Sequence, residues 1–172
     1  MSDYIVETKS RRELRSLALT LRDALRIRDK MWVPIVKLLD VFCEIFDDFS
    51  YEIVEDGELK GGAHAETDII TGHIKINESV YEGACNDEGR DRMTIAHEIA
   101  HFFTLRSCGF KLQRNFNHKE VKPYNDPEWQ AKCFAGEFMI PSHLIGDMSV
   151  QDIANACGVS YEAALYQFNH RD

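Results

Sequence analysis

The chain changes its apolar period twice, and the changes divide it. From Ser10 to about Lys30, Leu14, Leu17, Leu21, Ala24 and Leu25 fall at helical spacing with arginines on the opposite side, which predicts an amphipathic helix. Trp32-Val33-Pro34 interrupts it, and Pro34 suits the first turn of a second helix running to about Asp48. The period then shortens. Residues 51–54, 63–67 and 73–76 alternate and are bounded by Gly57, Gly61, Gly62 and Gly72, which predicts strands of a small antiparallel sheet. Residues 77–89 read as a loop, with Asn86-Asp87 placed to cap the next helix. From about Gly89 to Leu105 the helical period returns, apolar on nearly every side, as in a central buried helix. Residues 108–127 read as a polar loop, and Pro127 starts a further helix that Pro141 stops. Two short helices, 149–156 and 160–169, close the chain around Cys157-Gly158-Val159.

Composition narrows the class. At 172 residues, 44% hydrophobic and 28% charged, the chain is one globular domain's worth, with no apolar run long enough to span a membrane and no leader-like start. A cytoplasmic protein is expected. Its five cysteines are odd in number, scattered and without a C-x-x-C pair, as for buried reduced thiols rather than disulfides or a thiolate metal site. Net charge is −9, divided as +3 over residues 1–40 and −12 over the rest. An acidic body lacks the phosphate attraction that autonomous nucleic-acid binding requires.

The central helix carries the chemistry: His97-Glu98-Ile99-Ala100-His101 is an H-E-x-x-H pattern. Residues four apart lie on one helix face, so both imidazoles can reach one metal ion. Glu98, about 100° round the helix from His97, is placed to act on a water as general base. Two histidines and a glutamate inside an apolar helix need partners, and a metal supplies one. A catalytic zinc takes three protein ligands, so a third is required. On the downstream helix, Glu128, Ala131, Ala135 and Phe138 share a face whose small residues permit close packing on the central helix. Glu128 is the favoured third ligand, Glu137 lies on the opposite face, and His118 is the imidazole alternative. Tyr124 and the remaining histidines (His64, His73, His143, His170) are candidates for an oxyanion donor, among which the sequence does not choose. Residues 73–76, just upstream of the motif, are expected to offer a sheet edge to an extended substrate.

Thr94-x-Ala-His-Glu-x-x-His101 followed by Glu128-x-x-Ala-x-x-Phe-Ala-x-Glu-Phe-Met-Ile-Pro141 resembles the ImmA/IrrE metallopeptidases, over about residues 50–170. The pattern departs at Lys132, Phe138 and Ile140, none of them a proposed ligand. The resemblance implies zinc held by His97, His101 and Glu128, Glu98 as general base, and a helix-turn-helix repressor as protein substrate. A single zincin-like α+β domain over residues 1–172 is expected: N-terminal helices (1–49), a catalytic core (50–146) with the small antiparallel sheet packed on the central helix, and a helical tail (147–172). That tail also resembles a helix-turn-helix, but from Asp147 to Asp172 Arg171 stands alone against four acidic residues. Packing or partner docking, not DNA contact, is its expected role. A regulator binding its partner on the same scaffold without proteolysis is the second reading.

Overall fold

A computed structural model describes residues 4–107, 113–114 and 122–171. Helix α1 (Arg11–Ala24) opens on a capping box: Ser10 Oγ accepts from the Glu13 N–H, and the Glu13 carboxylate accepts from the Ser10 N–H at 2.8 Å. It ends six residues before the expected Lys30 because the chain wraps round Arg22, whose fully buried guanidinium donates to the carbonyls of Ile27 and Lys30. The same guanidinium reaches the Phe138 carbonyl, tying α1 to the C-terminal end of the helix that begins at Pro127. Helix α2 (Ile35–Ile45) follows Pro34 and buries Ile35, Leu38, Leu39 and Phe42.

The expected all-antiparallel sheet is instead mixed. Strands β2 (Ser50–Val54), β3 (Ala65–Asp68) and β4 (His73–Asn77) lie in the order β2-β4-β3, with β4 parallel to β2 and antiparallel to β3. Strand β4 is central, with Ile74 and Ile76 fully buried on its inner face and His73 and Lys75 half-buried on the other. The chain reverses from β3 to β4 at Gly72 (φ +75°), where a Cβ would lie 2.1 Å from the Asp48 carbonyl. A two-stranded ribbon, β1 (Tyr4–Ile5) with β5 (Gln113–Arg114), was not apparent in the sequence.

The expected loop at 77–89 contains helix α3 (Glu78–Cys85), with Val80 and Ala84 buried one turn apart. Gly83 disguises it. A Cβ there would meet the Asp91 carboxylate at 1.9 Å, so a larger residue would have to displace that side chain. Asn86 therefore ends α3, its N–H donating to Glu82 O, instead of capping the central helix, and the Glu88 carbonyl accepts that helix's Arg92 N–H.

Helix α4 (Gly89–Ser107) is the central element and carries the H-E-x-x-H residues. Ile95, Ala96, Ile99 and Ala100 are buried along it, and Phe102 joins Phe49 at a ring-centroid distance of 5.0 Å in an edge-to-face contact. Helix α5 (Pro127–Met139) packs along α4, with Phe134 stacked on Phe103 and Ala131 and Ala135 buried. Short α6 (Ser142–Ile145) leads to α7 (Val150–Cys157) and α8 (Tyr161–Asn169), whose Ile153, Ala154, Cys157 and Ala164 face the core. Among the described cysteines, Cys133 and Cys157 are buried, and burial pushes both thiols up to about 11. Cys43 and Cys85 are exposed, against expectation, since their helices turn those positions to solvent. No helix among the described residues is long and apolar enough to cross a membrane.

Candidate metal centre

Two helices and one strand build the site. His97 and His101 stand one turn apart on α4, their rings edge to face with centroids 4.7 Å apart and their Nε2 atoms 3.1 Å apart. Glu128, in the first turn of α5, reaches both: Oε2 lies 3.2 Å from His97 Nε2 and Oε1 3.3 Å from His101 Nε2. The three donors lie within 4.8 Å of one another, and theirs is the metal-capable His/Cys/Asp/Glu group among the described residues. Hydrogen bonding to His101 and then His97 holds the Glu128 carboxyl well below the usual carboxylate range, outweighing burial. Asp126 caps α5 by accepting from the Glu128 N–H at 3.0 Å, which fixes where this carboxylate starts.

The other candidates separate. Glu137 is buried on the far side of α5, where it pairs with Arg15 at 3.0 Å and Arg11 at 3.4 Å and accepts from Ser142 at 2.7 Å. His118 lies outside the described residues. Tyr124 is half exposed and stacks edge to face on Trp129. His73 lines the cleft beside the donors, but its Nδ1 meets Ser50 at 2.8 Å and its Nε2 Glu52 at 3.3 Å. His64, His143 and His170 do not line that cleft.

Thr67 is the functional position that sequence reasoning missed. From strand β3 its hydroxyl donates to Glu98 Oε2 at 2.6 Å, fixing a carboxylate that is only 8% exposed. One threonine in a strand has no distinguishing pattern; only the sheet order, which puts β3 against α4, selects it. The cleft, about 1030 Å³, is bounded by β3 on one side and the start of α5 on the other, with His97, Glu98, His101 and Glu128 at its base.

Residues 54–169 match the Peptidase_M78 family model, described as an IrrE N-terminal-like domain. The chain belongs to this family. Peptidase_M78 proteins are metallopeptidases, which gives this member a metal and a protein substrate at the level of class. No curated protein and no solved structure matches the chain.

Proposed function

We propose that this Peptidase_M78 protein is a zinc endopeptidase with a zincin-like site, in which His97, His101 and Glu128 hold the metal and Glu98 is the general base. One observation carries the reading: two imidazole Nε2 atoms and a carboxylate converge at 3.1–3.3 Å. Ligands placed tetrahedrally round zinc stand roughly 3.3 Å from one another, so the donor set fits that ion. Three protein donors also leave a coordination position open, the mark of a catalytic rather than a structural site. Zinc bound there supplies Lewis acidity, polarising a peptide carbonyl and lowering the pKa of water.

The chain's own residues supply the rest. Thr67 occupies Glu98 Oε2, which leaves Oε1 to take a proton from water and return it to the leaving amine. Strand β3 is the sheet's edge on the cleft side, so an extended substrate can add to it as a further strand. Residues 73–76, the edge expected from the sequence, do not fill this role, because β4 is paired on both sides. The substrate we assign from the family resemblance is a helix-turn-helix repressor in the cytoplasm. The tail supports a protein partner over DNA, because Arg171, its lone cation, lies over the Phe168 ring at 3.8 Å and donates to the Phe168 carbonyl.

Co-expression with a helix-turn-helix repressor from the same genome should yield two repressor fragments. A chelator should stop the cleavage and added zinc restore it; an intact repressor beside zinc-loaded protein would sink the assignment. Thr67→Val should lower hydrolysis by about 10–100-fold with zinc content unchanged, while Thr67→Ser keeps most of the rate. Equal rates for Thr67→Val and wild type, measured as initial velocities, would remove Thr67 from the site.

A further inference from the structure

Glu128 sits in the first turn of α5, the end of a helix most prone to fray. Yet the chain on either side of it is laced to a distant segment. The Val6 N–H donates to Asn125 O at 3.0 Å and the Lys9 N–H to Tyr124 O at 3.1 Å. Asn125 Nδ2 returns the contact, to Val6 O at 3.0 Å and Thr8 Oγ1 at 2.8 Å. Two residues past the ligand, Gln130 Nε2 donates to Glu7 O at 2.7 Å and to Tyr124 O at 2.8 Å. Gln130 is 1% exposed and Val6 3% exposed, so the bonds of these two residues are partly shielded from competing water, while Asn125–Thr8 lies at the surface.

We infer that residues 6–9 form a strap that positions the third metal ligand, with Gln130 as the positioning residue through which it acts. The inference rests on the metal reading above. The ring contact that joins α5 to α4, Phe134 on Phe103 at 6.0 Å, and the buried Ala131 and Ala135 all lie C-terminal to Glu128. The turn before α5, Pro123–Asn125, is a short 3-10 piece. Gln130 joins both to the strap: one side chain bridges the Glu7 carbonyl of the strap and the Tyr124 carbonyl of the turn, straddling Glu128 in sequence. Fixing the carboxylate before the ion arrives removes the ordering cost from binding. The strap also lies outside residues 54–169, the part that the family model matches. Metal affinity in this chain thereby depends on a segment beyond the matched domain.

A double-mutant cycle tests this, read as zinc affinity by competition with a chromophoric chelator for wild type, Gln130→Ala, Glu128→Ala and the double variant. Gln130→Ala should weaken zinc by about tenfold or more in the wild-type background and leave the residual affinity of Glu128→Ala unchanged. Equal losses in both backgrounds would mean general loosening and would overturn the strap. Asn125→Ala, at a half-buried position, should repeat the pattern if Gln130→Ala folds poorly. A wild type that binds zinc but shows no coupling for either residue overturns the strap alone. A wild type that binds no zinc overturns the metal reading and the strap together.

Discussion

Glu98→Gln should leave zinc bound and lower peptide hydrolysis by about 10²–10⁴-fold, the usual worth of a positioned proton-transfer group. The amide keeps the size and the Thr67 hydrogen bond, since a hydroxyl can donate to an amide oxygen as it does to Glu98 Oε2 at 2.6 Å. What disappears is the ability to accept a proton. His97, His101 and Glu128 are untouched, so metal content is the control and hydrolysis the readout. A variant that still cleaves at the wild-type rate would exclude Glu98 as base. A variant that loses cleavage of a repressor but keeps the biological effect on it would instead favour the second reading, sequestration without proteolysis.

Gly158→Ala should destabilise the fold by about 2–4 kcal/mol, combining left-handed backbone strain with overpacking. Gly158 ends α7 at φ +63°, ψ +49°, and the Val159 N–H closes back on Ala154 O at 3.1 Å. A Cβ there would lie 2.0 Å from the Trp32 ring. Trp32, 40% exposed, would have to move outward to admit it and lose its stack with the Arg92 guanidinium, which lies 3.7 Å from the ring centre. Arg92, itself buried, donates to Gly158 O at 2.8 Å and Val33 O at 2.7 Å, so the turn, the N-terminal part and α4 share one joint. In thermal unfolding followed by circular dichroism, a loss of that size lowers the midpoint by roughly 5–15 °C. Trp32→Leu in the same background should recover part of it. An unchanged midpoint for Gly158→Ala would show that the turn is not packed as described.

The convergence of the candidate site's residues was legible because their placement follows helical spacing. His97 and His101 recur at i and i+4, and the Ala131/Ala135 stripe marks the face of α5 that meets them, which is why Glu128 and not Glu137 arrives at the imidazoles. Glu137 was unreadable in its real role, since its partners Arg11 and Arg15 are more than a hundred residues away. Sheet direction failed for a similar reason: the alternation in residues 73–77 says which face is buried but not which strand is central or which way its neighbours run. Helix α3 was hidden by Gly83, whose low helix propensity reads as a break although the helix runs through it. Thr67 and Gln130 left no trace because what distinguishes them is one long-range hydrogen-bond partner each, the second a backbone carbonyl with no sequence signature.

Metal analysis of the protein and its ligand variants tests the central claim most directly. Elemental analysis after exhaustive dialysis should find one zinc per chain in the wild type. The same measurement should find far less in His97→Ala, His101→Ala and Glu128→Ala, all three still folded by circular dichroism, and full occupancy in Glu137→Gln. Zinc that survives the loss of any one of the three donors, or that is absent from the folded wild type, would contradict the account.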